Sequence, residues 1–244
     1  MLQSIVMSQS PVQYEGQDLE AMLSAPQYCA WILSQFEPYL GNTVAEVGAG
    51  SGNFSSQLIN KIDGTLIAVE PSARMFSLLK KRFADNPRVI CEPHFFVDVA
   101  AAYRGSLDSI AYVNVLEHVQ DDLQELVEAY DALRPGGHVC IFVPALPFLF
   151  STFDASVGHH RRYSKRQLVS LIRESGFEIV KLRYFDIAGV LPWFLCMKML
   201  HWSLTPGRAG LYDRFVVPFM RKIESFISPP IGKNLIVVVR RPMV

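Results

Sequence analysis

Three glycines, Gly48, Gly50 and Gly52, alternate with small residues in "AEVGAGSGNF", and Glu46 stands two positions ahead of the first. Glycines packed this closely between an apolar run and an amphipathic stretch let backbone N–H groups approach an anionic or nucleotide ligand. A dinucleotide fingerprint would place a further glycine where Asn53 stands, so the pattern is E-x-G-x-G-x-G instead. The next apolar run, "TLIAVEPS", ends in Glu70. A carboxylate at that place can accept both ribose hydroxyls of an adenosine group.

A second concentration of chemistry is "SVGHHRRYSKRQ", residues 156–167. Ser164 and Gln167 have the spacing of a capping box, so Lys165 and Arg166 are expected as solvated first-turn residues of a helix. That leaves Asp154, His159, His160, Arg161, Arg162 and Tyr163 on the loop before it, where some of them are expected to face a substrate. An arginine there would bind an anionic group such as phosphate or carboxylate. Adjacent histidines cannot easily share one ion and no cysteine lies nearby, so no metal site is expected. His118, in "NVLEH", reads either as a base or as a helix-start histidine bonded to Glu117 or the backbone.

The elements that must position these residues follow from periodicity. "TVAEVGAG", "TLIAVEPS", a part of "VICEPHFFVDVA", "LDSIAYVNV" and "HVCIFVPA" read as strands. Between them, "NFSSQLINKI", "ARMFSLLKKRFA" and "DDLQELVEAYDALRPGG" read as helices, the last stopped at Pro135 and Gly136. Strands that are apolar throughout and separated by helices predict a parallel sheet covered on both faces. A helix after residue 164, "FEIVKLRYF" and "NLIVVVRRP" complete the series, while "DLEAMLSAPQYCAWILSQFEPYLG" predicts two helices before the sheet. Residues 186–233 are too long for a simple connection and predict a functional insertion.

Composition narrows the class. Among 244 residues, Lys plus Arg and Asp plus Glu balance at 23 each, which argues against a nucleic-acid binder. The four scattered cysteines suggest reduced thiols in a cytoplasmic protein. The start shows no secretory pattern, and the longest apolar stretch, 187–200, is broken by Pro192 and Lys198. No integral span is therefore expected, while peripheral contact at the inner membrane surface is left open.

The stretches "VAEVGAGSG", "AVEPS", "AYVNVLEHVQDD" and "LRPGGHVCIFVP" together resemble class I S-adenosylmethionine-dependent methyltransferases. "GHHRRYSKRQLVSLIRESGFEIVKLRYFDIAGVLPW" and "SPPIGKNLIVVVRRP" further resemble a bacterial subfamily grouped with polysaccharide and lipid glycosyltransferase genes. The resemblance implies an α/β, Rossmann-like seven-stranded sheet, mostly parallel with an antiparallel last strand and helices on both faces. It implies cap helices over 1–42, a core over 43–185 plus 234–244, and a helical lid over 186–233. It implies S-adenosylmethionine as cofactor, leaving as S-adenosylhomocysteine, and methyl transfer to a small or lipid-linked acceptor.

By that resemblance Glu46 orients the methionine ammonium, and Gly48, Ala49, Gly50 and Gly52 approach the methionine portion. Glu70 holds the ribose; Pro71, Ser72 and Met75 flank the adenine; Asp98 meets its amino group; Asn114 and Val115 face the sulfonium. His118, His159, His160 and Tyr163 are the candidates for proton chemistry, and Tyr14, Tyr28, Asp154, Arg161, Arg162 and Trp193 for the acceptor. A quinone or aromatic O-methyltransferase is the rival enzyme reading, and a non-catalytic cofactor-binding module the rival outside catalysis.

Overall fold

The computed structural model describes residues 25–202 and 205–243. Tyr14 and the first of the two expected N-terminal helices lie outside them. The second is α1, Pro26–Phe36, with Tyr28, Trp31, Ile32 and Phe36 on its buried face. Seven strands follow: β1 Thr43–Val47, β2 Thr65–Val69, β3 Val89–Glu92, β4 Leu107–Val113, β5 Leu133–Pro144, β6 Glu178–Phe185 and β7 Asn234–Arg240. They form one sheet in the order β3-β2-β1-β4-β5-β7-β6. β7 runs antiparallel to both β5 and β6, and the other pairings are parallel.

Helices cover both faces: α2 Asn53–Leu58, α3 Ala73–Arg82, α4 Phe96–Val99, α5 Asp122–Ala132, α6 Thr152–Ser156 and α7 Lys165–Glu174. Alternation along β1 divides its side chains between two cores. Ala45 and Val47 join the core under α5 and α7, and Val44 joins the core under α1 and α2. Glu46 shares the parity of Val44, so a carboxylate is carried beneath α1. Between β6 and β7 the chain forms α8 Val190–Pro192, a π-helical stretch Trp193–Met199, α9 Pro206–Phe215 and α10 Val217–Phe226. Because β7 is antiparallel, this segment leaves and rejoins the sheet at its carboxyl edge. Asp213 of α9 fastens it to α1. Its carboxylate accepts the Tyr28 N–H at 2.7 Å and the Gln27 N–H at 3.2 Å, supplying the cap that Ala25 lacks.

One expectation about an element needs correction. α5 ends at Ala132, and "LRPGG" belongs to β5 rather than to the helix. Pro135 pushes Arg134 to extended backbone, and Leu133 pairs with Leu107 across the sheet. As expected, a part of "VICEPHFFVDVA" is a strand, β3, which stops at Glu92; Pro93 follows, and Asp98 rides on α4 with its side chain exposed.

Candidate functional site

The loop after β1 is built for close approach. Gly48, Gly50 and Gly52 have φ of 69°, 55° and 83°, a region where side chains are strained. A Cβ on Gly48 would meet Val115 Cγ2 at 2.6 Å, so the loop also packs against the end of β4. Both oxygens of Glu70 grip the loops around it. Oε2 accepts the Gly50 N–H and Oε1 the Ser72 N–H, each at 2.8 Å. Each oxygen keeps a lone pair for a further donor such as a ribose hydroxyl. Burial raises the Glu70 carboxyl above its ordinary value, against the lowering effect of those two N–H groups.

Glu46 sits at the floor of the same cavity, 3% exposed. Its Oε2 has no hydrogen-bond partner among the described residues. Burial, with the Glu70 charge adding, pushes its carboxyl up to about 8 despite the lowering effect of the neighbouring Ser55 hydroxyl. An orphaned buried carboxylate of this kind fits a ligand ammonium. The cavity, about 250 Å³, is lined further by Ala49, Pro71, Ser72, Phe95, Phe96, Asn114, Val115 and His118. Gly52 and Met75 support it from behind: Gly52 packs against Phe83 and Leu79, and Met75 is buried on α3. Asp98 does not line it.

Glu125 does line it, a residue the sequence reading missed. It lies on the buried stripe of α5 beside Leu126 and Ala129, and an acid on such a stripe was the available signal. Its carboxyl is pushed up to about 7 by burial, offset by the Tyr112 hydroxyl at 3.0 Å.

A second cavity of about 260 Å³ lies alongside. Tyr28, Phe142, Phe153, Trp193 and Tyr212 make it largely aromatic, and His159, Arg162 and Lys233 reach its wall. Asn114 lines both cavities. It closes β4 in a left-handed conformation, φ 54°, with its N–H donated to Phe142 O at 2.9 Å.

The histidine–arginine loop divides sharply. Asp154 is fully buried and accepts five donors: His159 Nδ1 at 3.0 Å, Arg162 Nε and Nη2 at 2.8 Å, Ser151 N at 2.8 Å and Ser151 Oγ at 2.7 Å. Burial alone would raise its carboxyl; the His159, Arg162 and Ser151 contacts outweigh that and hold it down at about 2. As an acceptor it favours the tautomer with a proton on His159 Nδ1, while Nε2 on the far side of the ring lies 3.9 Å from Glu117 Oε1. Arg162 is committed to Asp154 and to Ala145 O at 3.2 Å, and its guanidinium stacks 4.5 Å from the Trp193 ring. It presents an apolar-backed face to the cavity rather than a free fork.

The other members of the loop turn away. Tyr163 is buried, donating to Asp122 Oδ2 at 2.7 Å or Leu116 O at 3.0 Å, and burial followed by that Asp122 bond raises its phenol far above the usual range. It is a strut, not a proton carrier. Arg161 pairs with Asp122 at 2.8 Å and Gln120 O at 2.8 Å, and His160 is exposed, its backbone N–H on Glu117 O. The partner of His159 is His118, not His160: their rings meet edge to face with centroids 4.6 Å apart. Glu117, His118 and His159 bring ligand-type atoms within 4.8 Å of one another, a grouping across 42 positions that sequence spacing concealed. Burial and the neighbouring histidines lower His118 to about 3, so it is neutral and a poor proton acceptor at neutral pH.

Lys233, Asp186 and Tyr212 were also missed. Buried Asp186 accepts Tyr28 Oη at 3.0 Å, the Gly189 N–H at 3.0 Å, Lys233 Nζ at 3.1 Å and the Tyr212 hydroxyl. It thereby ties α1, the β6 end, α9 and the β7 start around one wall of the second cavity.

The chain matches a family described as "Methyltransferase domain" over residues 22–182. Among curated relatives it is 25% identical over 170 residues to an uncharacterized 37.1 kDa protein in a Streptomyces fradiae transposon, covering 64% of this chain and 49% of that one. An uncharacterized methyltransferase of Schizosaccharomyces pombe is 28% identical over 116 residues, 48% of this chain and 44% of the relative. The chain thus spans about half the length of these curated relatives. Among solved structures, a SAM-dependent methyltransferase from Archaeoglobus fulgidus superposes with TM-score 0.62 at 15% identity, covering 93% of this chain and all of that one. Geranyl diphosphate C-methyltransferase from Streptomyces coelicolor, solved with S-adenosylhomocysteine, gives 0.62 at 13% identity over 88% and 75%. These likenesses establish the same fold. With the family match spanning about two thirds of its length, the chain belongs to the methyltransferase domain family, and its loop, acid pair and cavity suit S-adenosylmethionine as cofactor.

Proposed function

We propose that the first cavity holds the cofactor, that the second holds a small or lipid-linked acceptor, and that the methyl passes between them beside Asn114. The observation that carries this reading is the shared wall: Asn114 lines both cavities, at the carboxyl end of β4. The cofactor supplies an electrophilic methyl on a cationic sulfur. Glu46 binds the ammonium, Glu70 the ribose, and Phe95, Phe96 and Ser72 surround the adenine. Glu125 replaces Asp98 as the acid at the adenine end.

For a hydroxyl acceptor, His159 takes the proton on Nε2 while Asp154 keeps its ring oriented and favours the cation formed. Trp193 contributes a buried indole N–H with no partner among the described residues, a donor available to the acceptor. The segment 186–233 acts as the lid over this cavity. The resemblance to a subfamily grouped with glycan and lipid glycosyltransferase genes favours a lipid-linked sugar. The aromatic rings of the wall favour, as the second reading, a quinol or phenol.

Mass spectrometry of reactions with S-adenosylmethionine and either lipid-linked sugars or phenols should reveal one acceptor class gaining a single methyl. Trp193→Ala should raise the KM for that acceptor at least tenfold while leaving cofactor affinity unchanged. An unchanged acceptor KM would remove the second cavity from the reaction.

A further inference from the structure

The segment between β6 and β7 has two faces of opposite purpose. Inward, Met197, Tyr212 and Val217 line the acceptor cavity or the core beside it. Outward, large apolar side chains stand in solvent: Met199 60%, Leu211 62%, Phe215 64%, Phe219 65% and Phe226 82% exposed. On α10 the buried residues Val217, Met220 and Glu224 define one side, and Phe219, Ile223 and Phe226 follow the i, i+4, i+7 stripe of another. Leu211 and Phe215 repeat this on α9, away from buried Asp213.

Charge on the segment is sorted in the same way. Its acids between residues 187 and 232 are Asp213 and Glu224, 4% and 2% exposed. Arg208, Arg214, Arg221 and Lys222 are all exposed. A chain of zero net charge therefore presents one surface that is apolar and purely cationic. Exposed apolar area of this extent marks an interaction site, and basic residues among aromatic and aliphatic ones match the interface of an anionic bilayer. No helix among the described residues is long and apolar enough to cross a membrane, so the fit is to lying on the surface.

The mouth of the second cavity opens on this face. Trp202, 46% exposed, and exposed Arg208 both line the cavity, with the guanidinium 4.6 Å from the indole centroid. An indole and an arginine at the boundary of apolar and polar surroundings suit the headgroup level.

We propose that the outer face of α9 and α10 seats the enzyme on an anionic lipid bilayer, and that the acceptor is a bilayer-borne lipid entering past Trp202 and Arg208. The second half rests on the methyl-transfer reading of the second cavity; the docking does not. The test is flotation of the full chain with vesicles of phosphatidylcholine alone or of equal parts phosphatidylcholine and phosphatidylglycerol. The wild type should float with the anionic vesicles, about tenfold more than with the neutral ones, and should be released by high salt. Phe219→Glu with Phe226→Glu should abolish flotation while calorimetric binding of S-adenosylmethionine stays intact, showing a folded protein. Arg221→Glu with Lys222→Glu should remove the preference for phosphatidylglycerol. Failure of the wild type to float, or flotation of the phenylalanine double variant at the wild-type level, would overturn docking. So would a stable wild-type dimer that does not float and that the double variant dissociates, since a second copy would then cover the face. If docking holds but a water-soluble acceptor is methylated as fast without vesicles, the lipid substrate falls and the surface stands.

Discussion

The imidazoles of His118 and His159 meet edge to face at 4.6 Å, with His118 in the wall of the first cavity and His159 in that of the second. The two rings differ in what fixes them. Burial and histidine neighbours keep His118 neutral, whereas Asp154 binds the Nδ1 side of His159. In the proposed reaction the proton therefore goes to His159. His159→Ala should lower kcat/KM for a hydroxyl acceptor about a hundredfold and leave the cofactor Kd unchanged. His118→Ala should affect the cofactor Kd more than the pH dependence of turnover, and the opposite pattern would exchange their roles.

The same pair, with Glu117, can be turned against the enzyme by an ion. If Nε2 of His159 must stay open for a proton, micromolar zinc should inhibit by occupying the three ligand atoms, and chelator should restore full rate. Activity abolished by chelator and restored by a divalent ion would instead make the trio a metal centre.

Glu46 sets affinity against stability. Its carboxyl stands near 8 in the folded protein against an ordinary 4.5, so the fold is favoured below pH 4.5 and that advantage is lost as pH rises toward 8. Glu46→Gln removes the loss and should raise the Tm at pH 8, by the equivalent of a few kcal/mol, while weakening cofactor binding at least tenfold. Calorimetry at pH 7 in buffers of different ionisation enthalpy should show proton release on cofactor binding that the variant lacks.

Asp154 behaves in the opposite direction. With its carboxyl lowered from 3.8 to about 2, its contribution is present above pH 4 and lost as pH falls toward 2, a loss of about 2 kcal/mol. Acid unfolding of Asp154→Asn should lack that component. Asp154→Ala, which strands buried Arg162, should cost ~3–5 kcal/mol at neutral pH.

Asp186 holds four donors from four parts of the chain. Asp186→Ala should increase hydrogen exchange in α9 and α10 well before global unfolding and raise the acceptor KM with little change in cofactor affinity.

The sheet was legible because its strands are apolar throughout, and the loop because Gly48, Gly50, Gly52 and the two acids are local signals. The capping box of Ser164 and Gln167 is present as read, with both reciprocal bonds. What sequence could not supply was rotation and distance. Tyr163 and Arg161 sit beside Arg162 in the chain, yet Asp122 draws them to the other side of the loop. The role expected of Asp98 came from the resemblance alone, and a short helix after Pro93 carries its side chain outward. Lys233, Asp186 and Tyr212 gather from three separate elements, so no short pattern could announce them. The edge at which β5 and β6 end and β7 begins is what makes them neighbours.

The cap that Asp213 places on α1 has a kinetic consequence. Swinging α9 away would strand two N–H groups at the start of α1 and leave a buried carboxylate without donors. α1 and α9 are therefore coupled, and the segment does not lift from α1 without that cost. The π-helical turn of Trp193–Met199 is tied elsewhere, by Lys198 Nζ donating to Phe150 O, and its hydrogen bonds step five residues instead of four, an extra residue that such a turn can shed. A register change there would move Trp193 and Met197 along the wall of the second cavity while the α1–α9 clasp stays shut.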